Sequence, residues 1–257
     1  MTSANIESKH QHSGELTHRK DLWWLEPTLV ATGFTIFIVY ATWRALFDVQ
    51  FYEIPALHIL SPFYSPNFRA YLPNWISPAA LILWMPAGFR ATCYYYRKAY
   101  YRAYFLDPPA CSVGHFGGKS YCGETSFPFI LQNAHRYFFY LAVLVLAVLW
   151  YDALDALLPN WQFMGFNLVN AIMLLNVVLL SGYTFGCHAW RHLVGGKLDC
   201  FSCVGGAPKT QYKAWKFVSK LNEHHMAWAW FSLFSVGFTD FIIREVASGA
   251  IPNIRFF

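Results

Sequence analysis

Residues 130–151 have the sequence ILQNAHRYFFYLAVLVLAVLWY, in which a long apolar run follows His135 and Arg136. A helix needs about 20 predominantly apolar residues to cross the hydrocarbon core of a bilayer. Backbone groups in lipid must find hydrogen-bond partners within their own segment, so such a run is predicted to be helical. The stretch therefore predicts a membrane-spanning helix.

Four further segments of the 257-residue chain share this apolar character. The composition agrees, because 13% of the residues are charged, against about 25% in an ordinary soluble domain. This balance excludes a disordered or water-soluble globular protein. We predict an all-α integral membrane bundle of five transmembrane helices over residues 27–257, preceded by an arm at residues 1–26. The predicted spans are about 28–47, 76–96, 130–151, 163–190 and 222–247.

The distribution of lysine and arginine predicts the orientation of this bundle. With the N-terminus inside, fifteen of the 19 basic residues fall on the inner side and four on the outer side. Cytoplasmic loops of membrane proteins carry such an excess. We therefore predict a cytoplasmic (inner) membrane protein with its N-terminus in the cytoplasm and its C-terminus outside. The net charge of +5 follows from this topology, and no nucleic-acid partner is indicated.

Potential ligands for a redox centre cluster near the predicted inner face. Cys93 lies near the inner end of the second predicted helix, and His135 near the start of the third. Cys187 and His188 lie near the end of the fourth, and His225 near the start of the fifth. Coordinating side chains inside a bundle are costly and are functional candidates. Four helices thus offer metal-type ligands at about one depth.

Two cysteines and two histidines match the ligands of a Rieske-type [2Fe–2S] centre. Cys111, in the segment DPPACSVGH at residues 107–115, is a further thiolate candidate. The residues alone do not choose between Cys93, Cys111 and Cys187. The predicted ligand set is therefore Cys93, Cys111, Cys187, His135, His188 and His225.

Two other metal sites could use cysteine or histidine residues, and a separate ion pair is predicted. A b-type haem needs two histidines on facing helices at matched depth, and His135 or His188 with His225 could supply them. A zinc site could use Cys200 and Cys203, although Cys111 and Cys122 are a poorly spaced second pair. Asp240 and Arg244, spaced i,i+4, are predicted to pair with each other.

Four motifs resemble one known family of membrane anchors. They are CYYYRKAYYRAY (93–104), FPFILQNAHRYFFY (127–140), GCHAWRHLVGG (186–196) and NEHHMAWAW (222–230). Together with the five-helix plan they resemble the membrane-anchor subunit of succinate dehydrogenase (succinate:quinone oxidoreductase, respiratory complex II), most of all its actinobacterial class. The resemblance extends from about Trp23 to the C-terminus.

The resemblance implies a partner-dependent function. A flavoprotein subunit would oxidise succinate, an iron–sulfur subunit would relay the electrons, and this chain would pass them to quinone without acting on succinate itself. Similarity to the haem-poor actinobacterial class favours the Rieske-type cluster over haem, since the first two predicted helices contain no histidine. The alternative is a passive anchor, with quinone reduced at the iron–sulfur subunit.

A quinone site needs apolar walls with a few polar groups. Aromatic and polar residues at the depth of the candidate ligands could form it. They are Tyr94, Tyr95, Trp190, Arg191 and Trp228.

Overall fold

The computed structural model describes residues 19–114, 125, 127, 129–159, 162–163, 165–196 and 207–256. Within these residues the fold is helical. The helices are α1 (Leu25–Leu46), α2 (Pro78–Ala91), α3 (Tyr94–Ala103), α4 (His135–Leu157), α5 (Leu168–Phe185), α6 (His188–Gly195), α7 (Ala207–Glu223) and α8 (His225–Ala247). A short hairpin of β1 (Glu53–Ile54) and β2 (Ile59–Leu60) lies between α1 and α2.

In the described part of the chain, four helices are long and apolar enough to cross a membrane. They are α1, the stretch Ile130–Leu157 that joins a 3₁₀ turn to α4, α5 and α8. This confirms the helical membrane class and four of the five predicted spans by length and composition. The sides on which the two termini lie stay a prediction.

The second predicted span, residues 76–96, is divided in the structure. Helix α2 has 14 residues and ends at Ala91, and α3 begins at Tyr94. The Thr92 hydroxyl donates a hydrogen bond to the Gly88 carbonyl, 2.7 Å away. Threonine hydroxyls compete in this way with the backbone bonds that continue a helix. A fifth span is therefore not confirmed, and Cys93 lies in the break.

The fourth predicted span, residues 163–190, is also divided. Helix α5 begins later than predicted because Asn167 caps it, its side chain accepting from the backbone N–H of Asn170. After α5 ends at Phe185 the chain turns at Gly186, and Cys187 becomes the N-cap of α6. The two cysteines therefore occupy equivalent positions, each between two helices.

The chain forms two compact units. One comprises residues 1–33 and 98–122, and the other residues 34–97 and 123–257. In the first unit the Tyr104 hydroxyl donates to the Ala31 carbonyl at 2.9 Å, and the Arg19 guanidinium donates to the Cys111 carbonyl at 2.8 Å. The predicted boundary at residue 26 stays a prediction.

The core of the second unit is formed by α5 packed between α4 and α8. Close approach of α5 to α8 depends on Gly182, because a Cβ atom there would lie 2.7 Å from the Trp228 ring. One buried cluster of this core holds Phe89, Cys93 and Cys187. We call the end of the second unit that contains Cys93 the cysteine end.

Away from the cysteine end, a buried ion pair joins α8 to the segment after α1. Arg244 donates to the Asp240 carboxylate, as the i,i+4 spacing predicts, with side chains 2% and 0% exposed. Arg244 also donates to the Asp48 carbonyl at 2.9 Å. Asp240 accepts from the Tyr40 hydroxyl at 2.7 Å and from Ser61. This network fixes the chain between α1 and α2 against the helices.

Candidate metal centre

Four of the predicted ligands lie at breaks between helices at the cysteine end. Cys93 separates α2 from α3, and Cys187 precedes α6. His135 is the first residue of α4, and His225 is the first residue of α8. All four line one cavity of about 440 Å³. The helix breaks therefore turn the ligand atoms towards a shared space.

The four side chains form two pairs, each of one cysteine and one histidine. The Nε2 atom of His135 lies 3.0 Å from the Sγ atom of Cys187. The Nε2 atom of His225 lies 3.7 Å from the Sγ atom of Cys93. Metal–sulfur and metal–nitrogen bonds of about 2.3 and 2.0–2.1 Å place two ligands of one tetrahedral metal roughly 3.5 Å apart. Both pairs have about this spacing.

The hydrogen bonds of Thr92 orient His135. The Thr92 hydroxyl donates to the Gly88 carbonyl, so its oxygen accepts from the Nδ1–H of His135 at 2.8 Å. Nε2 then keeps its lone pair, directed towards Cys187. The imidazole also stacks on Phe89, with ring centres 4.8 Å apart. His135 is therefore held in the tautomer that a metal ligand needs.

His225 is held by an aromatic wall. Its ring stacks on Tyr183 at 5.1 Å and an interplanar angle of 13°. The side chain is 3% exposed, and its Nδ1 atom has no hydrogen-bond partner among the residues that the structure describes. Burying an unpaired polar atom costs free energy, so packing alone does not explain an imidazole at this position. The arrangement favours a functional role for its other nitrogen.

The two thiols are buried, and neither forms a disulfide with another cysteine in the described part of the chain. Cys93 is 2% exposed and Cys187 is 1% exposed. Burial raises the pKa of the Cys187 thiol to about 12 and also raises the pKa of Cys93. Both thiols are therefore protonated at neutral pH, and metal binding must displace their protons.

Arg90 supplies positive charge near the Cys93 thiol. Its guanidinium lies 4.7 Å from the centre of the Tyr183 ring and donates to the Ala229 carbonyl and the Ser232 hydroxyl, each at 3.1 Å. In the portion of the chain that the structure describes, no carboxylate pairs with it. Uncompensated positive charge stabilises a nearby thiolate.

Within the described residues, no group of three or more His, Cys, Asp or Glu side chains is arranged to hold one metal ion. The ligands instead form two separate two-residue positions on one cavity. The donor set and this spacing fit a cofactor with two metal atoms, each bound by two protein ligands.

The remaining two predicted ligands are not part of the two Cys–His pairs. Cys111 is exposed and belongs to the first unit. His188 is exposed at the rim of the cavity, and its Nε2 atom lies 2.9 Å from the Nε2 atom of His192. Burial, His192 and Arg191 lower the pKa of His188. Cys122, Cys200 and Cys203, the other thiols of the zinc alternative, lie outside the described residues.

Two of the five residues predicted to contact quinone line the cavity of the candidate ligands, and the other three pack against neighbouring helices. Tyr94 and Tyr95 line the 440 Å³ cavity. Trp190 stacks on Phe139, and Trp228 packs over Gly182. Arg191 donates to the Ser219 hydroxyl at 3.0 Å.

The structure adds polar wall residues that the sequence analysis missed. The cavity is also lined by Thr92, Arg97, Gln132, Asn133 and Asn222. The Asn222 amide donates to the Gly186 carbonyl at 2.8 Å, which ties the end of α7 to the break before Cys187. No spacing pattern in the sequence distinguishes these residues from other polar residues at helix ends.

A second, apolar cavity of about 140 Å³ lies in the second unit. Its walls include Pro86, Phe89, Leu146 and Tyr183, with Arg90 as the charged residue. Phe89 and Tyr183 also stack on the two histidines of the pairs. These two rings therefore lie between the apolar cavity and the candidate ligands.

Comparison with known proteins connects this geometry to one family. Residues 25–249 match the family model described as actinobacterial succinate dehydrogenase subunit SdhC. A chain in a solved structure, the Mycobacterium smegmatis Sdh1 complex in the apo form, is 42% identical with a TM-score of 0.85. The match covers 100% of both chains. A comparison with curated proteins finds no match.

Proposed function

Because the chain belongs to the actinobacterial family of succinate dehydrogenase subunit SdhC, we propose that it carries electrons through a membrane-embedded centre to quinone. As a family member it is a membrane-anchor subunit of an oxidoreductase and a multi-pass integral protein of the cell membrane. Membership in a succinate dehydrogenase complex implies flavoprotein and iron–sulfur subunits as partners. The metal centre in this chain and its transfer of electrons to quinone are the proposed parts of the function.

The proposed centre is a Rieske-type [2Fe–2S] cluster bound by Cys93, Cys187, His135 and His225. The observation that carries the proposal is the pair of Cys–His contacts, at 3.0 and 3.7 Å, on one cavity. Such a cluster, when bound, accepts and donates one electron at a time. The chain would contribute the ligands, the orientation of both imidazoles and the aromatic shell around them.

The pairing supports one cysteine and one histidine for each iron. In soluble Rieske proteins both histidines bind the same iron. Here each histidine lies beside a different cysteine, at about the separation of two ligands on one metal. We therefore propose a mixed ligand set on both irons.

A b-type haem is the alternative centre, and the same contacts count against it. A haem held by two histidines needs both Nε2 atoms directed at a common iron. The Nε2 atoms of His135 and His225 are directed at separate thiols. The geometry therefore favours the cluster.

We propose that quinone reaches the polar part of the cavity beside Tyr94 and Tyr95. The amides of Gln132 and Asn133 are on the same wall and can donate hydrogen bonds to quinone carbonyls. Apolar walls with a few such polar groups are typical of small-molecule sites. The proposed site thus adjoins the ligands without using them.

The exposed face of α7 suits docking of a soluble partner. Its lysines recur at intervals of three and four residues, which places them on one side of the helix. They are Lys209, Lys213, Lys216 and Lys220. We propose that this basic face contacts an acidic surface of the iron–sulfur subunit.

The function is tested by replacing the four ligands one at a time in the complete purified complex: Cys93→Ser, Cys187→Ser, His135→Gln and His225→Gln. Each variant should lose cluster iron and acid-labile sulfide, and reduce quinone at least tenfold more slowly. Succinate oxidation with a soluble dye should continue, because that reaction belongs to the partner subunits.

The matched controls are His224→Gln and Cys111→Ser, since both side chains are exposed and lie outside the two pairs. They should keep the cluster and the rate of quinone reduction. Assembled ligand variants that reduce quinone at the rate of the unmodified complex would refute the relay and leave a passive anchor.

A further inference from the structure

The two histidines of α6 form a separate cluster of potential ligands. His188 and His192 are exposed, and their Nε2 atoms lie 2.9 Å apart. Their rings meet nearly at right angles, at 84° with centres 4.4 Å apart. Neither His192 nor the Nε2 contact of His188 is used by the proposed electron relay.

Helix geometry explains why the two rings meet. Side chains four residues apart lie one above the other on the same face of a helix. Cys187 caps the start of α6, with its Sγ atom accepting from the backbone N–H of Ala189 at 3.4 Å. The cap fixes the first turn, so both imidazoles project from an ordered helix.

The pair is a zinc-type chelate in sequence as well as in geometry. Two histidines spaced i,i+4 on a helix provide two ligands to zinc in the HExxH motif. The sequence here is His-Ala-Trp-Arg-His, so the glutamate that acts as general base in that motif is replaced by Ala189. A binding site is therefore indicated, and metalloprotease chemistry is not.

The distance between the nitrogens suits a shared metal ion. With zinc–nitrogen bonds of 2.0–2.1 Å, two nitrogens of a tetrahedral zinc ion lie about 3.3 Å apart. A small rotation of either exposed ring would widen the Nε2–Nε2 distance from 2.9 Å to this value. When each imidazole carries its proton on Nδ1, both Nε2 lone pairs are available and water can complete the coordination.

The neighbouring positive charge is directed to another helix. Arg191 lies between the two histidines in sequence, but its Nε atom donates to Ser219 on α7. Its guanidinium also lies over the Trp215 ring, 5.0 Å from the ring centre. These contacts hold the cation on the side of α6 that faces α7.

We propose that His188 and His192 form a reversible binding site for a divalent transition-metal ion, of which Zn²⁺ is the best-suited physiological example, at the rim of the 440 Å³ cavity. Imidazole ligands favour zinc, copper and nickel over magnesium or calcium. Because only two protein side chains bind the metal ion, the ion can exchange with solution and does not hold the fold together. The site exists whether or not iron occupies the Cys–His pairs.

The test compares Zn²⁺ binding by the complete complex with that of a His192→Gln variant, in buffer containing excess Mg²⁺. At a Zn²⁺ concentration that fills the site, the unmodified complex should bind one more Zn²⁺ per copy of this chain than the His192→Gln complex. The variant should bind that ion at least 10-fold more weakly, because even the loss of an outer-shell partner costs about 10–100-fold in metal affinity. His188→Gln should remove the same ion.

The matched control is His224→Gln, which removes another exposed imidazole and should leave Zn²⁺ binding unchanged. Added Cu²⁺ provides a second measurement, since its EPR spectrum should show coupling to two imidazole nitrogens, and His192→Gln should remove at least one of these couplings. Equal Zn²⁺ binding by the unmodified and His192→Gln complexes, or a Cu²⁺ spectrum insensitive to this substitution, overturns the proposal.

Discussion

At the scale of single residues, Thr92 has two roles that depend on one hydroxyl group. Donation to the Gly88 carbonyl ends α2, and acceptance from His135 fixes the imidazole tautomer. A hydrogen-bond acceptor on the outer nitrogen of a metal-bound histidine makes that histidine a stronger donor to the metal. Thr92 is therefore a positioning residue for the proposed centre.

Replacing Thr92 with Val removes this acceptor and preserves the shape of the side chain. A weaker histidine donor stabilises oxidised iron less, so the reduction potential of the centre should rise. A hydrogen bond contributes about 0.5–1.5 kcal/mol, which corresponds to roughly 20–60 mV for one electron. Redox titration followed by EPR measures the shift.

Thr92→Ser is the matched control, because it keeps the hydroxyl and loses a methyl group. Its potential should stay close to that of the unmodified protein. Equal potentials in Thr92→Val and the unmodified protein would show that the Thr92 hydroxyl does not act on the centre through His135.

At the scale of secondary structure, the positions of the ligands follow from the breaks between helices. The apolar runs predicted five spans, four of which match long apolar helices in the structure, and they placed Cys93, His135, Cys187 and His225 near span ends. The breaks themselves depend on particular hydrogen bonds, such as those of Thr92 to Gly88 and of Asn222 to Gly186. Hydropathy does not record such bonds, so the sequence predicted continuous helices at 76–96 and 163–190.

The same limit applies to choosing the ligands. Cys111 and His188 have the same donor chemistry as the four paired residues, and the residue types alone offer no reason to separate them. Exposure distinguishes them in the structure, since Cys93, Cys187 and His225 are buried whereas Cys111 and His188 are exposed. Burial depends on how the helices pack.

The packing of α5 on α8 can be tested at Gly182. In Gly182→Ala the new Cβ atom would lie 2.7 Å from the Trp228 ring, so the ring or the two helices must shift. Overpacking of this kind typically costs about 1–3 kcal/mol. The melting temperature of the purified complex should therefore fall.

Gly237→Ala on α8 is the control, because its Cβ atom would lie 3.4 Å from Phe37, an ordinary contact. Alanine also favours a helix over glycine, so this variant should match or exceed the unmodified melting temperature. A Gly182→Ala complex as stable as Gly237→Ala would contradict the close packing of α5 on α8.

At the scale of the whole molecule, the second unit combines a site at its cysteine end with a buried ion pair elsewhere. Asp240 accepts from Arg244, Tyr40 and Ser61, and Arg244 also holds the Asp48 carbonyl. Removing one charge of a buried pair leaves the other uncompensated and costs about 3–5 kcal/mol. The pair therefore has a large effect on stability without touching the proposed ligands.

Asp240→Asn should consequently lower the melting temperature of the complex more than any substitution of an exposed carboxylate. The comparison is Asp155→Asn, which breaks a partly exposed contact with His58 worth about 0–1 kcal/mol. Similar melting temperatures for the two variants would contradict the structural role of the buried pair.

Cys93, Cys187, His135 and His225 are proposed to bind one two-iron cluster. Pulsed EPR of the reduced, purified complex can detect this binding, because it measures nitrogen nuclei bound to the paramagnetic centre. We predict a [2Fe–2S] signal coupled to two imidazole nitrogens, with one coupling lost in any His135→Gln complex that retains a cluster. A haem absorption band, or no histidine-coupled iron–sulfur signal in the intact complex, would contradict the account.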